Sequence, residues 1–172
     1  VERSRGLGDV YKRQVVTITS GGYIKRTPLA DFRAQRRGGK GLAGMQTKDE
    51  DVVTTLFVAN THTQLLFFST DGMAYKLKTW RLPLGARTAK GKAIVNILPI
   101  QAGVSIAAVM PVDAPEEEWE KLQIIFSTSS GDVRRNALSD FTNVRSNGKI
   151  AMDLPEDITC LLYTSPSPRD LS

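Results

Sequence analysis

The chain holds one cysteine and one histidine among its 172 residues. A lone Cys160 cannot build an internal disulfide framework and is compatible with a reducing compartment. A lone His62 excludes a multi-histidine metal site and a histidine-based triad, and its place in a polar turn reads as surface. Apolar runs are equally scarce. The run Leu65–Phe68 falls far short of the roughly 20 residues a membrane-spanning helix needs, so no membrane partner is expected. No G-x-x-x-x-G-K-[ST] loop occurs, and outside the acidic stretch 113–120 no segment keeps a 3.6-residue period, which argues against a helical solenoid.

What is present is ordinary globular material with 41% hydrophobic and 24% charged residues and a net charge of +5, a balance that tilts toward a polyanionic partner. The two ends stand apart. Back-translated, Cys160–Asp170 and Ser4–Gln14 encode opposite strands of one DNA segment, as an adapter joined to both ends of a fragment would. Residues 1–14 and 160–172 are therefore read as adapter-derived tails and left out of the functional reading.

Between Val15 and Thr159 the basic residues number 18 against 15 acids, and they are zoned. Seven bases and one acid lie between Lys25 and Lys48, and six bases with no acid between Lys76 and Lys92, while acids gather at Asp49–Asp51 and Asp113–Glu120. Zoned positive charge is the footprint of a nucleic-acid surface. Its densest point is the heptad Gln35, Arg36, Arg37, Gly38, Gly39, Lys40 and Gly41. Cations supply charge and forked donors there, and glycines allow close backbone approach, a composition suited to gripping phosphate; a solvated basic turn is the bland alternative.

The chain repeats itself. Strands are expected at Val15–Thr19 and Tyr23–Thr27 around a glycine turn, then at Val52–Ala59. The pattern returns with Gln64–Ser69, Met73–Lys78, Ala93–Ile97 and Ser105–Met110, and again with Leu122–Ser127 and Val133–Asn136. Trp80 and Leu82 take the place of Leu29 and Phe32 as apolar anchors. The turn glycines Gly22, Gly72 and Gly131 stand 50 and 59 residues apart, and a Gly-Lys pair follows each by 17, 19 and 17 residues. Asp113 and Glu116 have capping-box spacing with Pro115 between, predicting a short helical turn in the acidic insert. Units of about fifty residues with four short strands suggest stacked blades, one over 15–63, a second over 64–121 and a third over 122–159; a single irregular β-sandwich is the alternative.

Most catalytic readings fail. Gly39–Gly44 matches G-x-G-x-x-G but follows Arg36-Arg37 and leads into more strands, the wrong setting for a dinucleotide loop. Asp49, Glu50 and Asp51 do not point one way along a strand and are read as a solvated loop. Tyr23 and Tyr75 are read as packing or flanking the sheet. The repeated cations survive: Lys25 with Arg26, Lys76 with Lys78, and Arg134 with Arg135 follow the turn glycines, and Arg87, Lys90, Lys92 and Lys149 lie in the later loops. Stacked blades should place them along one edge, tracking a curved polyanion through phosphate contacts without base readout.

Gln35–Gly41 matches the gyrase A box, the hallmark of the C-terminal domain of the DNA gyrase A subunit. The flanks agree: Gly22-Tyr23-Ile24-Lys25, Leu56–His62 and Ala93–Pro99. The resemblance covers Val15 to Thr159 and looks like three of six blades. It implies an all-β fold, a β-pinwheel whose neighbouring blades exchange strands, with double-stranded DNA wrapped on a basic rim without sequence specificity. It further implies a cytoplasmic, nucleoid-associated parent that introduces negative supercoils with ATP and Mg²⁺, on portions absent from this sequence, and pairs there with the gyrase B subunit. By that resemblance the fragment has no catalysis and no cofactor of its own. A topoisomerase IV A subunit, or a propeller-like protein-interaction platform, is the alternative.

Overall fold

A computed structural model describes residues 12–32, 51–155 and 158, and the backbone of the strand at 160–164. The secondary structure is strands joined by 3-10 turns. In chain order the strands are β1 (Arg13–Thr19), β2 (Tyr23–Pro28), β3 (Val53–Asn60), β4 (Gln64–Ser69), β5 (Met73–Lys78), β6 (Lys92–Ala93), β7 (Ile106–Val112), β8 (Gln123–Thr128), β9 (Val133–Ala137), β10 (Lys149–Ile150) and β11 (Cys160–Thr164).

Each hairpin is set by its glycine. Gly22, Gly72 and Gly131 adopt φ of 76°, 84° and 88°, the left-handed region that costs a glycine nothing. Their amides close the same turn, donating to Thr19 O, Ser69 O and Thr128 O at 3.0, 3.0 and 3.1 Å. The spacing read from the sequence therefore marks real structural repeats. The first strand of each pair is the most buried. β1 is buried from Gln14 to Thr19, with Gln14, Thr17 and Thr19 among its buried residues, and β4 from Leu65 to Ser69, as suits strands flanked on both edges.

The strands form three antiparallel sheets ordered β3-β1-β2-β6, β10-β5-β4-β7 and β11-β8-β9. The fourth strand of the first sheet, β6, comes from the second repeat, pairing Tyr23 with Ala93 and Ile24 with Lys92. Likewise β10, from the third repeat, pairs Ala74 with Lys149 and Met73 with Ile150. This is strand exchange between neighbouring repeats, so each of the first two sheets draws on sequence beyond its own fifty-residue unit. The chain divides into two compact units, Val1–Thr63 with Leu77–Ile97, and Gln64–Lys76 with Leu98–Ser172.

Within the first unit Val16 and Ile24 are fully buried, with Val15, Ile18, Ala59, Leu82 and Ile94 close to it. The second unit has an aromatic core. Phe68, Phe126 and Phe141 meet edge to face, with centroids 5.2, 5.6 and 6.1 Å apart, the arrangement ring quadrupoles favour. Trp119 is fully buried beside them, its indole donating to Ala114 O at 2.9 Å.

Three sequence expectations are corrected. The strand expected at Ala93–Ile97 is the two-residue β6 followed by a 3-10 turn, Ile94–Asn96. The acidic insert does form a turn, Glu116–Lys121, but Pro115 is its N-cap and no side-chain capping bond forms. Trp80 is no anchor: it is 46% exposed, while Leu82 is buried. β1 begins at Arg13 and β11 pairs with β8, so residues read as tail join the sheets. A free strand edge pairs with whatever compatible backbone lies beside it.

Candidate nucleic-acid interface

The heptad Gln35–Gly41 lies outside the described residues. The other candidate cations are described, and they divide into two groups.

One group is turned inward. Lys25 is 2% exposed, and its ammonium donates to Ala86 O at 2.8 Å, Arg87 O at 2.5 Å and Ala89 O at 2.8 Å. Three carbonyls use all three of its donors, and burial pulls its pKa below the ordinary lysine value. Half-buried Arg26 donates to Leu82 O at 2.9 Å and Gln14 Oε1 at 3.1 Å. In the second unit Lys76 donates to Thr142 O, pairs with Glu116 at 2.9 Å, and lies 5.6 Å from the centroid of the Trp119 ring. Lys149 donates to Asp140 O. Arg87 packs its guanidinium 5.9 Å from the Phe32 centroid, and Lys90 lies 3.7 Å over the Tyr23 ring.

The other group faces outward. Lys78, Lys92, Arg134, Arg135 and Arg145 are exposed, and none of their side chains makes a hydrogen bond or ion pair with another described residue. Arg81 lies against the exposed face of Trp80 at 5.2 Å. The sequence reading does not single out Arg81 or Arg145 as contacts; the basic zoning that contains Arg81 is the signal that could have found it. Near Arg145 an open depression of about 590 Å³ is lined by Asn143, Val144, Arg145, Gly148 and Lys149.

The remaining candidates have structural places. Asp51 closes the first hairpin turn, accepting from the Gly21 amide at 2.6 Å. Tyr75 is buried, and burial with the Asp71 charge pushes its hydroxyl above the usual tyrosine pKa. His62 is exposed in the turn after β3. Among the described residues no cluster of His, Cys, Asp or Glu could hold a metal, and no helix is long and apolar enough to cross a membrane.

The family model for the DNA gyrase C-terminal domain, beta-propeller, matches residues 13–60, 63–113 and 123–157. The DNA gyrase A subunit of Rickettsia bellii is 48% identical over 158 residues, which cover 91% of this chain and 18% of that protein. That of Granulibacter bethesdensis is 53% identical over 144 residues, covering 84% of this chain and 15% of that protein. The chain thus spans less than a fifth of these relatives. Among solved structures, the C-terminal domain of DNA topoisomerase IV superposes with a TM-score of 0.73 at 25% identity, covering 90% of this chain and 46% of that one. A DNA gyrase A C-terminal domain gives 0.68 at 21% identity, over 91% of this chain and 49% of that one.

Proposed function

Because this chain belongs to the DNA gyrase C-terminal domain, beta-propeller family, we propose that it is the part of a gyrase A subunit that binds double-stranded DNA and bends it around its outer surface. The observation that carries the reading is the group of exposed, unpaired cations Lys78, Lys92, Arg134, Arg135 and Arg145. A solvated cation with no protein partner is free to replace the counterions of a phosphate backbone, and that exchange gives affinity without reading bases. No base-reading helix stands among the described elements, so DNA deformability supplies what selectivity there is.

The wrapped duplex would be delivered to the catalytic portions of a parent enzyme, which would use ATP and Mg²⁺ with a gyrase B subunit to introduce negative supercoils. The likeness to the topoisomerase IV domain supports the same fold; the 48% and 53% identities to gyrase A sequences favour a gyrase parent. A fluorescence titration of the full chain with a random-sequence duplex at several salt concentrations tests the reading. Logarithmic affinity is expected to fall linearly with the logarithm of salt, by about 0.9 per phosphate contacted. Binding indifferent to salt would overturn it.

A further inference from the structure

Three consecutive residues of β2 capture most of the carbonyls of the basic loop in the next repeat. Arg26 takes Leu82 O through its side chain and Pro83 O through its amide, Thr27 takes Gly85 O at 2.7 Å, and Lys25 takes Ala86, Arg87 and Ala89. The donated strand that follows this loop, Lys92–Ala93, has only two residues. A ladder that short supplies too few hydrogen bonds to hold an exchanged strand, each adding about 1 kcal/mol net at most sites. The carbonyl bonds on the loop therefore do much of the holding.

The device recurs in the second unit. Ala74 pairs with Lys149 as Ile24 pairs with Lys92, so Lys76 stands at the register of Arg26. Arg26 donates to the carbonyl of Leu82, the C-cap of the 3-10 turn Thr79–Arg81, and Lys76 donates to that of Thr142, the C-cap of the 3-10 turn Leu138–Phe141. In the third sheet the innermost pair Ser127 and Val133 corresponds to Ile18 and Ile24, which places Arg135 at the same register again. There Arg135 is exposed.

We propose that Arg26, Lys76 and Arg135 are one repeated latch, positioning residues that bind the C-cap carbonyl of the following repeat's 3-10 turn and so fix the course of its basic loop. Lys25 reinforces the first latch. Arg135 would have the same role toward a further repeat of the same kind, for which the solved C-terminal domains of this fold, covered only 46% and 49% by this chain, leave room. The most conspicuous hairpin cations thus shape the DNA-facing loops from behind. The inference concerns packing and stands whether or not the chain binds DNA.

The test is hydrogen exchange on the full chain, read by mass spectrometry over residues 82–92 and 142–150, beside the salt slope of duplex binding. Thr27→Val, which removes one loop bond and no charge, Arg26→Ala and Lys25→Met are expected to speed exchange in 82–92 by about tenfold. Lys76→Ala is expected to do the same in 142–150. All four should leave the slope unchanged. Arg26→Lys, which keeps the charge, should recover part of the protection, and Arg135→Ala should leave both loops protected. If Arg26→Ala lowers the salt slope by about one contact while 82–92 stays protected, the latch is overturned. Unchanged protection in Thr27→Val, or loop opening in Arg135→Ala, would overturn it too.

Discussion

Asp51 Oδ1 accepts from the Gly21 amide at 2.6 Å and from the Ser20 hydroxyl at 3.1 Å, so a residue thirty positions away closes the first hairpin turn. Burial by itself raises the Asp51 pKa, but the bonds from Gly21, Thr19 and Ser20 and the nearby Lys90 charge outweigh it and hold the carboxyl below its ordinary value. A depressed acid stabilises the fold above its unfolded pKa, about 3.9, and loses that contribution as pH falls through the lower folded value. Asp51→Asn, which removes the charge and keeps an acceptor, should lower the melting temperature at pH 7. The gap should stay constant down to about pH 5 and close below about pH 4. Melting curves of both proteins across that range check it; a gap that persists unchanged in acid would mean the charge is not what stabilises the turn.

Glycine replacements should follow a rank set by what a Cβ would meet. At Gly91 (φ 87°) it would lie 2.5 Å from the Ile24 carbonyl oxygen, a backbone atom paired in the sheet that cannot step aside. At Gly148 (φ 90°) it would lie 2.7 Å from the Tyr75 ring, which can shift only against a packed core. At Gly131 (φ 88°) nothing lies within 4 Å, so only the backbone term remains. Gly131→Ala should cost about 1 kcal/mol, with Gly148→Ala and then Gly91→Ala costing progressively more. Urea denaturation of the three variants reads the order directly.

The two tryptophans should behave oppositely. Trp119 is fully buried, bonds Ala114 O and carries Lys76 near its face. Trp119→Ala should lose about 3–5 kcal/mol through lost apolar burial and the cavity left behind. Trp80 is 46% exposed, and Trp80→Ala should stay within about 0.5 kcal/mol. Because the chain has two tryptophans, each variant also isolates the other's emission: that of Trp119 should be blue-shifted and shielded from iodide, that of Trp80 quenched.

Much of this fold was legible because glycine leaves a mark. The spacing of Gly22, Gly72 and Gly131 located three identical turns, and β4 and β5 have the bounds that their apolar pattern predicts. The exchanged strands were not legible as such. Two residues, Lys92–Ala93 or Lys149–Ile150, carry no period, and their membership of another repeat's sheet is decided by a ladder formed in three dimensions. The burial of Lys25 was not legible for a related reason. A cation is ordinarily solvated, and only the folded loop gathers the three carbonyls that make its burial tolerable. Trp80 misled in the opposite sense, its apolar character suggesting an anchor where Leu82 does the packing.

The heptad Gln35–Gly41 occupies, by its spacing from Gly22, the place in the first repeat that Lys90-Gly91-Lys92 and Asn147-Gly148-Lys149 hold in the next two. In those repeats the segment enters a donated strand and leaves Lys92 or Arg145 free at the surface. The heptad carries three cations, as many as residues 87–93 (Arg87, Lys90 and Lys92) and one more than residues 144–150 (Arg145 and Lys149); as one dense cluster it should contribute more to drawing a duplex around the surface than to first capture. On the proposed reading, capture draws on cations in several clusters, so losing one cluster removes only its portion of a salt-dependent affinity. Bending depends on holding the duplex at successive points, since its elastic cost is repaid only by contacts made after the bend. Replacing Arg36, Arg37 and Lys40 with Ala in the full chain should therefore weaken binding by about tenfold or less at moderate salt and abolish most of the end-to-end approach of a doubly labelled duplex measured by energy transfer. Normal bending by the triple variant would remove the heptad from any role in wrapping and leave the outward cations of the later repeats to account for it.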